Sequence, residues 1–263
     1  MRTLRLGPLF AFFFLFSVID PKAQQSPVPT VPQRDATALT LLQQSVAAMA
    51  TTMPSDSTAT GSVTIVEGSL NESGTVSIQT KGTSETSETI NLPDGSRSIV
   101  YSNQDAKEIN GPQSVNSPLE LMVVDQCADF PLPLLSAFLT NADESLRYVG
   151  QETVNGTSVQ HIQVWNSFAS QPRMRKLSAL SGRDIWLDST SSLPVKIAWL
   201  RQPGEGAVHV TRMEIVFSNY TNVNGIQYPF QISKLYNGTP WQTITIQNVS
   251  FNTGLTDAQF QAQ

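Results

Sequence analysis

Five Asn-Gly or Asp-Gly dipeptides punctuate the chain: Asp94-Gly95, Asn110-Gly111, Asn155-Gly156, Asn224-Gly225 and Asn237-Gly238. A two-residue hairpin turn of the favoured hand needs positive φ at both central positions, which these residues tolerate best. Around them apolar and polar residues alternate. The pattern predicts strands near 60–67, 74–81, 86–92, 97–102, 104–109, 145–153, 157–165, 183–188, 194–202, 207–218, 226–235 and 241–251. Without helices interleaved between strands, these form one antiparallel meander rather than a βαβ array. The expected fold class is mainly β with few helices, in a single domain over residues 35–263.

Two stretches break the alternation. Asp35 is placed to cap a helix in which Leu39, Leu42, Val46 and Met49 recur at helical spacing, ending near Met53-Pro54. Residues 117–140 are apolar for most of their length. They open on Ser117-Pro118, which suits a helix start. Phe130-Pro131-Leu132-Pro133 interrupts any continuous helix. The expectation is a short helix, a kinked apolar loop and a second short helix through Phe138. This segment either covers the core of the sheet or acts as a lid.

Residues 1–23 carry Arg2 and Arg5, an apolar run from Leu6 to Ile19 and a polar exit, the layout of a secretory signal peptide. The run is short for a bilayer span. Residues 24–34, rich in proline, read as a tether. No cysteine lies near the expected cleavage after Ala23, so a lipid-modified N-terminus is not expected. A periplasmic or secreted location follows. Loss of Arg2, Arg5, Lys22 and Asp20 takes the formal charge from −5 to −7. Such an acidic chain lacks the basic clusters that phosphate backbones require, which excludes nucleic acid as a partner. Cys127 is the sole cysteine, so the fold rests on its core rather than on disulfides; its apolar neighbours predict a buried thiol.

Catalytic constellations are lacking. His161 and His209 are the only histidines, too few with one cysteine for a His/Cys metal site. There is no G-x-S-x-G elbow and no glycine-rich phosphate loop. Asp184 and Asp188 share a strand face, but four strand residues span roughly 13 Å, beyond the about 5–9.5 Å of glycosidase carboxylate pairs. Asp188 is instead expected to cap the Ser-Thr-Ser-Ser turn that follows. Arg173, Arg175 and Lys176 form a basic cluster that is either a solvated loop or a contact for an anionic head group or acidic partner. No catalytic residue, metal ligand or cofactor is assigned.

Bulky apolar residues gather on single strand faces. Val195, Ile197 and Trp199 alternate with Lys196 and Ala198; Met213, Ile215 and Phe217 with Glu214 and Val216; Ile226, Tyr228, Phe230 and Ile232 with Gln227, Pro229 and Gln231. Aligned, these strands give one broad apolar face that must be covered. The two helical segments are little material for so large a sheet, which leaves two readings: a cavity suited to an acyl chain, or a filled core with a polar outer face for a protein partner. The candidate ligand-binding residues are Trp199, Met213, Ile215, Phe217, Tyr228, Phe230 and Ile232, with Leu134 and Phe138 from the helical segment.

The stretches SGTVSIQTKG, SRSIVYSN, DAKEING, DIWLDSTSSLPVKI, MEIVFSNYTNVNGIQYPFQI and NVSFNTGLTDAQF, with the first helix and the mid-chain interruption, resemble the lipoprotein-carrier superfamily of LolA and LolB type over roughly residues 35–260. The resemblance implies an unclosed, strongly curved antiparallel half-barrel capped by an N-terminal helix and a mid-chain helical lid. Its concave apolar face would bind a lipid or acylated lipoprotein, without enzymatic activity. An envelope protein partner and transient membrane contact would accompany such a role.

Overall fold

The computed structural model describes residues 31–102, 106–110, 113–116, 128–201 and 210–261. The expected signal peptide, most of the tether, the 117–127 part of the mid-chain segment, Cys127 and His209 lie outside the described residues. Thirteen strands form one sheet: β1 (Asp56–Glu67), β2 (Leu70–Lys81), β3 (Glu85–Leu92), β4 (Gly95–Tyr101), β5 (Ala106–Asn110), β6 (Gln113–Asn116), β7 (Glu144–Val154), β8 (Thr157–Asn166), β9 (Arg183–Asp188), β10 (Pro194–Arg201), β11 (Thr211–Val223), β12 (Ile226–Tyr236) and β13 (Thr239–Phe251). Their order is β6-β5-β4-β3-β2-β1-β13-β12-β11-β10-β9-β8-β7, each pair antiparallel. β6 and β7 do not pair, so the half-barrel is unclosed.

The chain enters at the middle of the sheet, winds out to the β6 edge, crosses to the β7 edge and winds back until β13 meets β1. Three Asn-Gly turns behave as their chemistry requires: Asn155 and Gly156, Asn224 and Gly225, and Asn237 and Gly238 all have positive φ and close the β7–β8, β11–β12 and β12–β13 hairpins. Where the ends of the chain meet, the β1–β13 register shifts between Thr60 and Gly61. A Cβ at Gly61 would lie 2.1 Å from the Thr245 carbonyl oxygen, so only glycine permits this approach.

Helix α1 (Ala36–Met49) starts where Asp35 accepts a hydrogen bond from the Ala38 amide at 2.9 Å. It buries Ala38, Leu42, Ser45 and Met49; Leu39 and Val46 pack at the flank of that stripe. Helix α2 (Pro131–Thr140) corrects the expectation of a kinked loop at residues 130–133. Phe130 is its N-cap, and Pro131 and Pro133 fall in the first turn, where a missing amide hydrogen costs nothing. No basic residue lies in the last turn of α2. Arg34 supplies the positive charge instead, donating from Nη2 to the carbonyls of Phe138 and Leu139 at 3.0 and 3.1 Å. Gln33 and Asp35 also exchange backbone hydrogen bonds with Leu146. The end of the expected tether is therefore fixed along the β7 edge.

Three further expectations are corrected. β6 was not foreseen. Residues 172–180, with Arg173, Arg175 and Lys176, form a 3-10 helix rather than a loop. Val195 does not share a face with Ile197 and Trp199, because the register slips between Pro194 and Lys196 and turns it to the outer face beside Val159, Trp186 and Ala198.

Candidate functional site

The concave side of the sheet holds one large apolar cluster that both helices cover. All nine candidate residues are in it or against it, but they divide into two groups. Phe217, Tyr228, Ile232, Leu134 and Phe138 are buried in the packed region, with Phe230 partly buried beside them. Phe130 stacks on Tyr228 with ring centroids 4.5 Å apart. Arg183 lies over the Phe138 ring at 5.6 Å. Among the described residues, this half of the concave face is packed side chain against side chain.

The other half is not. Trp199, Met213 and Ile215 line a cavity of about 300 Å³ together with Ile65, Ile90, Ile99, Tyr236 and Trp241. That volume is at the low end of the roughly 300–1,000 Å³ of small-molecule sites. Tyr236 and Trp241 stack at 4.8 Å, almost parallel, on either side of the β12–β13 turn. Antiparallel pairing brings this wall together: Trp199 lies opposite Met213, Met213 opposite Tyr236, and Ile65 opposite Gln242.

Polar groups converge on the same cavity. Glu88 on β3, Lys234 on β12 and Gln242 on β13 contribute to its lining. Lys234 Nζ donates to Glu88 Oε2 and lies 2.9 Å from Asp129 Oδ1. Gln242 Nε2 donates to Glu88 Oε1 at 2.7 Å. Glu88 is 3% exposed and Asp129 is fully buried. Burial, then the neighbouring Asp129 carboxylate, push the Glu88 carboxyl up to about 7 against the opposing pull of Lys234. Ala128, at the described start of the stretch that leads into α2, lines the cavity, and Asp129 beside it pairs with Lys234 of β12. Glu88, Asp129 and Lys234 were not singled out from sequence. The available signal was a lysine in the inward register of β12, continuing the series Tyr228, Phe230, Ile232.

The outer face carries a separate network. Both ring nitrogens of His161 are engaged, Nδ1 with Glu152 Oε1 at 2.7 Å and Nε2 with Asp184 Oδ1 at 2.9 Å. The ring stacks on Trp186 at 4.4 Å, and Lys196 Nζ lies 4.0 Å from that indole. Burial lowers the histidine pKa, but the carboxylates Asp184 and Glu152 outweigh it and leave the pKa raised. A protonated ring held by two carboxylates has no free lone pair and is a poor general base. Asp188 caps its turn as expected, accepting from the Thr190 and Ser191 amides at 2.9 and 2.7 Å. Among the described residues, no group of three His, Cys, Asp or Glu side chains is placed to hold a metal ion. No helix among them is long and apolar enough to cross a membrane.

No protein-family model matches the sequence, and no curated protein does. Solved structures share the fold. A putative outer membrane lipoprotein-sorting protein domain from Vibrio parahaemolyticus superposes with a TM-score of 0.58 at 13% identity, covering 85% of this chain and 96% of that one. A LolA superfamily protein from Nitrosomonas europaea gives 0.57 at 11% identity, covering 86% and 97%. A DUF1329 family protein from Desulfovibrio piger gives 0.57 at 13% identity, covering 87% and 98%. The chain is therefore similar in fold to LolA superfamily proteins over most of its length.

Proposed function

We propose that this is an exported, non-enzymatic protein that binds a lipid or lipoprotein acyl chain in the concave cavity. The observation that carries the reading is the cavity itself, walled by Ile65, Ile90, Trp199, Met213, Ile215 and Trp241 at the unfilled end of the concave face. Each methylene buried there would contribute about 0.8 kcal/mol. A lipoprotein-sorting protein and a LolA superfamily protein among the structures of like fold support the same reading, and the signal-peptide pattern of residues 1–23 agrees with a periplasmic or secreted carrier. The mid-chain segment would open to admit the chain, and its displacement would deliver the cargo to a partner in the envelope.

Met213→Trp tests the reading by filling the cavity from its own wall. Titration with a fluorescent acyl probe should give saturable binding to the parent protein and little or none to a folded Met213→Trp variant. Equal saturable binding by both proteins would place the probe elsewhere and overturn the assignment. The filled packing around Tyr228, Phe217 and Ile232 favours one rival, a protein-binding β module with no ligand; absence of saturable binding to the parent would support it.

A further inference from the structure

Arg173, Arg175 and Lys176 take no part in the cavity wall, and the 3-10 helix of Pro172–Leu180 arranges them for another use. Such a helix repeats every three residues, so side chains at i and i+3 share a face. Met174, Leu177 and Leu180 form its inward face: Leu177 is buried, and Met174 and Leu180 are half-buried. Arg173 and Lys176 fall together on a second face and Arg175 on the third, all three exposed. We propose that this helix is a docking surface for a bilayer containing anionic phospholipid, held beside the mouth of the cavity. The inference rests on the acyl-binding reading for its choice of a bilayer as the partner.

The argument is one of position and of charge complementarity. The helix leads through Ser181 and Gly182 into Arg183, the first residue of β9. Arg183 pairs with Trp199 and Trp199 with Met213, both in the cavity wall. The helix therefore joins β8 to β9 at the end of the sheet where the cavity lies. Leu200 on β10 and Val210 just before β11, both exposed, stand on the same rim. In a chain of formal charge −5, no acidic residue interrupts Pro172–Leu180. The neighbouring carboxylates turn inward: Asp143 is buried and accepts from Ser170, and Glu144 is buried and accepts from Asn166. Arg175 Nη2 approaches the Ala169 carbonyl at 3.5 Å. Among the described residues, none of the three cations is ion-paired with a carboxylate. Across the mouth, Glu67 and Glu108 are exposed and line the cavity, so an anionic surface is favoured on the β8–β11 flank and opposed on the other. Cations spread over two faces of one helix suit a laterally extended charged surface better than a single acidic side chain. Their attraction falls off within a Debye length, and Leu200 and Val210 add a small apolar contact. The result is a reversible, salt-dependent docking that sets the cavity against the bilayer from which an amphiphile would be drawn.

The test is co-sedimentation of the protein, purified from an exporting host, with two kinds of vesicle: phosphatidylcholine alone, and phosphatidylcholine mixed in equal parts with phosphatidylglycerol. The parent should bind the mixed vesicles and leave the neutral ones in the supernatant. Raising the ionic strength from about 0.1 M to about 1 M, which shortens the Debye length from about 10 Å to about 3 Å, should release it. Partitioning should weaken about fivefold for each cation removed. Arg173→Gln, Arg175→Gln and Lys176→Gln combined should therefore fall to the level seen with phosphatidylcholine, while titration with the fluorescent acyl probe in free solution stays unchanged. If the triple variant does not fold, Arg173→Gln with Lys176→Gln removes the shared face and should weaken partitioning about 25-fold. Equal binding of the parent to both kinds of vesicle, or undiminished binding by a folded variant, would overturn the docking surface. Absence of vesicle binding by the parent would overturn it too, and would turn the cluster toward an acidic protein. The acyl-binding reading is scored separately, by the parent's own titration with the probe in the absence of vesicles.

Discussion

Asp56 and His161 show how single side chains act in this fold. Asp56 is buried and accepts from the Thr253 amide and hydroxyl at 2.6 and 2.8 Å, from the Gly254 amide at 3.1 Å and from Ser55 Oγ at 3.0 Å. Burial alone would raise its pKa, but these bonds lower it on balance. It fixes the exit of β13 to the start of β1. Asp56→Ala strands three of those donors, and the expected loss is about 1–3 kcal/mol in urea unfolding. The folded pKa is below the unfolded value of 3.8, so the charge-dependent part of that stability is present above it and disappears as pH falls through the folded value. His161 has the opposite sign. Its folded pKa is raised above 6.5, so its contribution is complete below that pH and is lost as pH rises through the folded value. Subtracting the urea midpoints of His161→Phe from those of the parent, pH by pH, should give a difference that shrinks as the solution becomes alkaline; a flat difference would contradict the ion-pair account. His161 falls within the strand predicted over 157–165, but local spacing gives no view of Glu152 or Asp184. Those partners come from register across β7, β8 and β9, which local spacing does not encode.

Strands and turns were legible because alternation and turn chemistry are local. The β11–β12 hairpin follows from residues 211–236 alone: a positive-φ Asn-Gly pair flanked by period-two faces. Helix α2 was harder, since Pro131 and Pro133 signal a break in a continuing helix but suit the first turn of a new one, and only the position of Phe130 decides between them. Val195 was misplaced for a related reason, as a one-residue slip reverses every face assignment beyond it. Gly61 gives the clearest test at this scale. A methyl there meets the Thr245 carbonyl oxygen at 2.1 Å where the first and last strands join, so Gly61→Ala should destabilise the protein by about 1–3 kcal/mol and lower the thermal midpoint. A midpoint equal to that of the parent would mean the two strands separate more easily than this packing implies. In α2, Leu135 is fully buried, and Leu135→Ala should cost about 2–5 kcal/mol in urea unfolding.

For the whole molecule, one sheet does two jobs. Around Tyr228, Phe130 and Phe251 its concave face is a packed core that holds both helices. Around Trp199, Met213 and Trp241 it is left open. The sequence identified the apolar face but not its division, because each strand's pattern is the same whether its inner face meets a helix or a void. The division depends on where α1, α2 and the residues just before α2 pack, and that is a long-range property. Charge burial has a whole-molecule consequence too. Burial is the leading cause that raises the carboxyls of Glu88 and Glu144 to about 7, from 4.5. Each folded carboxyl then binds protons more tightly than its unfolded counterpart, so stability falls as pH rises from about 4.5 through 7. His161 acts in the same direction. The thermal midpoint should therefore peak on the acid side of neutrality; a maximum in alkaline buffer would contradict these assignments.

The central claim is that the open end of the concave face holds an acyl chain, and native mass spectrometry of the protein purified without detergent from an exporting host, followed by organic extraction, tests it most directly. The account predicts a stoichiometric added mass that resolves on extraction into a single acyl-bearing species. A clean mass of the bare chain after gentle purification, with no lipid in the extract, would contradict it.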